Sequence, residues 1–195
     1  MKKTIRLTNL LKSDCGQCSS CCRTIMVELT DSDIERLTKH TGIPADKLVR
    51  LYSNPQIDCE DESDWIRLSY GKRALGLFKR RNGDCMFLQD DKTCAAYEAR
   101  PMTCRIFPVC IVFDDNHEVV DLEISEVIKD NTIKCKRIKG NGRSYKSFMS
   151  SAIQLKNEQE IFEKKLNEWN SLNGKGLKND FLNFLGFKTS KNGSR

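Results

Sequence analysis

The hydrophobic pattern divides the chain at Gly140-Asn-Gly142. Before this point apolar residues come in short groups separated by turn-forming residues. After it they follow one long rhythm. Phe148, Ala152, Leu155, Gln159, Phe162, Leu166 and Trp169 recur at alternating steps of four and three. That spacing predicts a helix near 144–170 with a single seam. About three heptads are few for an independent coiled coil, so the helix is expected to dock on the preceding region. Phe181, Leu182, Phe184 and Leu185 predict a last short helix.

The first part reads as small strands and helices. Arg23–Leu29 is apolar and β-branched enough for a strand. Thr30, Asp31 and Ser32 can start a helix, which Gly42 would end. Pro44 opens a second helix, expected to run through Leu48 and Leu51. Trp65–Leu68 and Leu75–Phe78 form a predicted hairpin turning near Gly71, and Cys85–Leu88 another short strand. Ala95–Ala99 makes about one helical turn before Pro101. Val109–Phe113 and Glu118–Ile124 form a further hairpin around Asp114-Asp-Asn116. The expected fold class is α+β: a small irregular antiparallel sheet with short helices, cysteine-rich metal-binding loops, and a C-terminal helical extension. The expected division is a cysteine-cluster domain over 1–142 and a helical extension over 143–195.

The cysteines change the picture from fold to chemistry. The chain has 195 residues and ten cysteines, four of them in Cys15-x-x-Cys18-x-x-Cys21-Cys22. Thiolates bind soft and borderline metals, and four of them complete a zinc site or hold an iron–sulfur cluster. Crowding at this spacing points to a metal. A second, wider group follows: Cys85, Cys94, Cys104, Cys110 and Cys135. Cys59 sits between Asp58 and Glu60, which oppose thiolate formation, so it is read as incidental. Cys110, between apolar neighbours, is read as a buried small hydrophobe. The two histidines, His40 and His117, have no local partner at ligand spacing, which favours cysteine-only ligation.

Cys15-x-x-Cys18-x-x-Cys21-Cys22 is followed by Cys85-Met-Phe-Leu88, Cys94-Ala-Ala-Tyr97, Arg100-Pro101 and Cys104-Arg105-Ile-Phe107-Pro108. In this combination the chain resembles the YkgJ-like cysteine-cluster family, a zinc- or iron-chelating domain, over about residues 15–140. The resemblance implies that Cys15, Cys18, Cys21, Cys22, Cys85, Cys94 and Cys104 belong to the shared site. It matches Cys135 to the family's later cysteine, although Lys136 stands where relatives often have proline. The implied cofactor is an iron–sulfur cluster, 4Fe–4S by thiol count, or zinc. Arg100 and Arg105 could offset thiolate charge and Tyr97 could donate to a thiolate, a cofactor-binding role. Their alternative reading is structural, with arginines bracing carbonyls. Flagellin lysine N-methylases look similar in the cysteine region. That likeness implies cluster-dependent methyl transfer to a protein lysine as an alternative to a binding protein.

Charge narrows the partners. The net charge of +6 is uneven: residues 129–195 hold 15 basic and 6 acidic side chains. The aromatics are not interleaved with the basic residues as single-strand binding requires, so nucleic acid is not the expected partner. A solvated helix face, or a protein partner reached through the C-terminal helix, is. No apolar run approaches the ~18–20 residues that span a bilayer, and the start, Met1–Leu11, lacks the apolar stretch of a signal peptide. The expectation is a cytoplasmic protein with reduced thiols.

Overall fold

The computed structural model describes residues 13–15, 18–53, 65–130, 132–135, 137–139, 145–172 and 175–190. Cys59 lies outside them. The architecture is α+β. Among the described residues three small antiparallel sheets carry short helices, and one long helix lies against them.

The N-terminal strand β1 (Ser13–Cys15) pairs with β7 (Arg137–Lys139), with Cys15 opposite Arg137. A short helix, α1 (Ser20–Thr24), follows the first cysteines. It takes up the start of the stretch expected as a strand. Only residues 27–29 of that stretch are extended against a neighbour, with Glu28 bridging Gly76. Helix α2 (Asp31–Thr41) begins at Thr30, whose side chain accepts from Asp33 N–H while the Asp33 carboxylate accepts from Thr30 N–H. This reciprocal cap satisfies two of the donors a helix start leaves unpaired. Gly42 closes the helix in the left-handed region, at φ 70°.

Helix α3 (Ala45–Leu48) stops three residues short of its expected end. Val49–Tyr52 instead forms strand β2. It pairs with β4 (Gly71–Leu77), which also pairs with β3 (Ile66–Leu68), giving the order β2-β4-β3. The helical spacing of Leu48 and Leu51 is overridden by this ladder, which buries Val49 and Tyr52. Cys85–Leu88 is likewise no strand. It is a run of turns with single bridges, Lys79 to Cys85 and Leu88 to Cys94. A 3₁₀ turn at Tyr97–Ala99 leads to α4 (Met102–Ile106). The hairpin β5 (Val109–Phe113) and β6 (Val119–Ile124) forms as expected, followed by α5 (Glu126–Lys129).

Helix α6 (Tyr145–Ser171) buries Phe148, Ala152, Leu155 and Leu166 of the seam. It packs against α4, β6, β3 and α2. Its C-terminal end also closes the edge of β3. The Asn170 side chain accepts from Arg67 N–H and donates to the Trp65 carbonyl, and Trp169 Nε1 donates to the Arg67 carbonyl. These contacts cover an edge that would otherwise present unpaired backbone groups. Helix α7 (Lys178–Phe184) buries Phe181 and Leu182. The core has two apolar clusters. Leu166, Phe181 and Leu182 join the cluster of α2, β2, β3 and β4. Phe148, Ala152 and Leu155 join that of α4, β5 and β6. Among the described residues no helix is long and apolar enough to cross a membrane.

Candidate metal centre

Three turns of backbone bring the inner thiols together. Cys22 ends the first cysteine loop within α1, and its carbonyl accepts from Cys85 N–H at 2.8 Å. Cys94 follows the Gln89–Thr93 turn, where Asp91 and Gln89 accept from the Thr93 hydroxyl. The bridge from Leu88 places this turn beside the Cys85 segment. Cys104 lies on α4, and α4 is fixed by Asp33, whose carboxylate accepts from Met102 N–H at 2.9 Å. The capped start of α2 therefore also anchors the element that carries Cys104. Cys22, Cys85, Cys94 and Cys104 all pack on one apolar cluster.

The electrostatics of these four sulfurs are mutual. A hydrogen bond with Cys21 lowers the Cys22 thiol to about 7, against the effect of its own burial, with help from Lys79 and Arg23. Burial pushes the Cys85 thiol up to about 11, and the charges of Cys22 and Cys94 add to the rise. Burial pushes the Cys104 thiol far above its ordinary range, followed by the charges of Cys85, Cys22, Cys94 and Asp33. Several thiolates in one apolar place repel each other and lose hydration, so the fully ionised set calls for a cation among them. The donors fit that need: four soft sulfurs suit zinc or an iron–sulfur cluster. Among the described residues, no group of three or more His, Cys, Asp or Glu side chains is placed to hold a metal ion; what fits is the donor chemistry of the four sulfurs.

The outer thiols form a separate group. Cys18 Sγ donates to the Lys134 carbonyl at 3.7 Å, beside Cys135, and Ser20 Oγ donates to the same carbonyl at 3.2 Å. The pairing of Cys15 with Arg137 brings the start of the loop to the same segment. Cys135 packs on the other apolar cluster, not on that of Cys85. Cys21 lies between the groups in sequence and is hydrogen-bonded to Cys22. The loop thus divides, with Cys18 toward the segment of Cys135, and Cys22, bonded to Cys21, toward Cys85, Cys94 and Cys104.

The polar candidates occupy the turn between Cys94 and Cys104. The Arg100 guanidinium lies 3.6 Å over the Tyr97 ring, and its Nε donates to the Tyr97 carbonyl. Arg105 donates to the Arg100 and Glu98 carbonyls. These bonds tie the turn together. Tyr97 is exposed. Cys110, expected to be buried, is exposed: on β5 it alternates with buried Val109 and so faces outward. His117 stacks on Phe113 at 4.7 Å in the β5–β6 turn, and His40 is exposed at the end of α2.

Two cations near the thiols were not singled out from sequence. Lys79 Nζ donates to the Arg23 carbonyl at 3.0 Å and faces Cys85, Cys22, Asp84 and Cys21. Arg23 pairs with Asp84 at 3.2 Å. Arg23 directly follows Cys22, which was a usable signal. Lys79 reaches the site only through its bridge to Cys85.

A family model named CxxCxxCC and described as "Putative zinc- or iron-chelating domain" matches residues 14–141. No curated protein and no solved structure matches the chain.

Proposed function

Given that the chain belongs to the CxxCxxCC family of zinc- or iron-chelating domains, we propose that it is a metal-binding protein whose inner thiols hold the centre. Cys22, Cys85, Cys94 and Cys104 are the ligands in this reading, with Cys21 adjacent to them. The observation that carries it is the convergence of four cysteines from three separate segments onto one apolar cluster. Sulfur-only donors support an iron–sulfur cluster, and the same set suits tetrahedral zinc. In the same reading Cys15, Cys18 and Cys135 are a second, outer set of donors, supported by the Cys18 bond to the Lys134 carbonyl beside Cys135. Bound metal would supply the positive charge that the buried thiolates lack and would tie α1, the Cys85–Cys94 turns and α4 together. Lys79 and Arg23 supply compensating charge from the protein side.

Metal and acid-labile sulfide analysis after oxygen-free purification tests this reading. The expected result is at least one iron–sulfur cluster or zinc ion per chain, lost in Cys85→Ser and Cys104→Ser and retained in Cys110→Ser. Visible absorption distinguishes the cluster from zinc. Equal metal content in wild type and both ligand variants would remove the inner thiols from the reading.

A further inference from the structure

A groove of about 650 Å³ runs along the edge of β2 and is lined by none of the cysteines. Four cations line it: Lys47, Arg50, Arg80 and Lys178. Phe78 and Met86 form its apolar wall, and Phe78 is 40% exposed.

The backbone of the edge supplies the second observation. Among the described residues β2 is the outermost strand and pairs with β4 alone. Leu48 faces Phe78, and Phe78 N–H donates to the Leu48 carbonyl at 2.8 Å. Antiparallel pairs alternate between bonded and non-bonded, so Arg50–Gly76 and Tyr52–Ala74 are the next bonded pairs. Val49 and Leu51 therefore turn their polar groups outward. Val49 N–H is taken by the Ala45 carbonyl, and the Val49 carbonyl accepts from Lys178 Nζ at 3.5 Å. By the same alternation the Leu51 N–H and carbonyl point away from β4, on the side of the groove that Leu51 lines.

The charges favour an anionic occupant. The acid of the groove, Asp46, is already engaged by Ser190 and Lys47. Arg80 spends one N–H on the Met86 carbonyl, and Arg50 lies 5.4 Å from the Tyr52 ring centroid. Both arginines are exposed and keep donors for a carboxylate. A nucleic-acid strand would want successive stacking rings, and the groove has a single exposed one. A donor and an acceptor presented by one strand residue match a polypeptide backbone.

We propose that the β2 edge takes an extended acidic segment of another protein as an added strand. Its backbone pairs with Leu51, its carboxylates meet Arg50 and Arg80, and an apolar side chain packs on Phe78 and Met86. This docking does not depend on the metal reading. Met86 follows Cys85 directly, so the segment would lie next to the thiol centre.

Fluorescence anisotropy with the full chain and a labelled decapeptide of alternating Glu and Val tests the proposal. Saturable binding is expected. It should weaken at least ten-fold when the glutamates become glutamines, when the central peptide nitrogens are methylated, and in the R50Q/R80Q variant. The methylated peptide leaves the protein unaltered, so its result is independent of folding. Equal binding of the glutamine or methylated peptide, undiminished binding to R50Q/R80Q, tighter binding of decathymidylate, or no saturation at millimolar peptide would each overturn it.

Discussion

At Lys79 a cation is held among sulfurs. Burial pushes its ammonium below the ordinary lysine range, and the charges of Cys85 and Cys22 counter that fall. A lysine kept there against desolvation is expected to stabilise a thiolate-bound metal. Residues beside ligands typically change metal affinity about 10–100-fold when replaced. Lys79→Gln should weaken metal retention by about that factor in competition with a chelator, while thermal stability of the metal-free protein stays nearly unchanged. An unaltered affinity would leave Lys79 without this role. The crowding of Cys15 to Cys22 was legible because spacing alone carries it. The division of that loop was not, because it depends on which distant carbonyls Cys18 and Cys85 meet. Exposure of Cys110 follows from strand parity, which its apolar neighbours concealed.

Between elements, the contact of α6 with α2 is mainly ionic at its centre. Arg36 bonds Glu158 through both terminal nitrogens, at 2.7 and 2.8 Å, and also bonds Asp33. Arg36→Met would strand two carboxylates, one of them fully buried, and should cost about 3 kcal/mol in denaturant unfolding. Burial pushes the Glu158 carboxyl up, but bonds from Arg36 and Gln154 outweigh it and leave the carboxyl below its ordinary value of 4.5. The unfolded chain therefore protonates this group first as pH falls. Its stabilisation is full above about pH 5 and is lost through and below 4.5. Burial raises Asp33, so its contribution has the opposite sign, present in acid and lost as pH rises. Glu158→Gln should flatten the acid limb of a melting-temperature profile, and a profile parallel to wild type would exclude the ion pair as its source.

The far end of α6 makes a different prediction. A Cβ on Gly176 would stand 2.6 Å from the Trp169 ring and 2.9 Å from Asp180 Cβ. Gly176→Ala should cost about 1–3 kcal/mol by overpacking, read as a lower denaturation midpoint. The seam of α6 was readable because its alternating steps of four and three keep one face of a helix apolar whatever packs on it. The end of α3 and the turns at Cys85–Leu88 were not, because pairing with β4 and the bridges to Lys79 and Cys94 overrule local propensity.

For the whole molecule, the long helix and the thiol region share both apolar clusters. Removing residues 143–195 would take Leu166, Phe181 and Leu182 out of one cluster and Phe148, Ala152 and Leu155 out of the other. Such a truncation should be insoluble or lose its near-ultraviolet circular dichroism. A soluble, cooperatively melting 1–142 fragment would separate the helix from the fold. On the same scale, the inner thiols join segments more than 80 residues apart, from Cys22 to Cys104, so bound metal should cross-link the fold. The most direct measurement is the metal and sulfide content of the folded protein purified without oxygen. At least one equivalent of zinc or of an iron–sulfur cluster per chain, lost with Cys85→Ser, is the predicted result. A folded protein with intact thiols and under a tenth of an equivalent of any metal would contradict it.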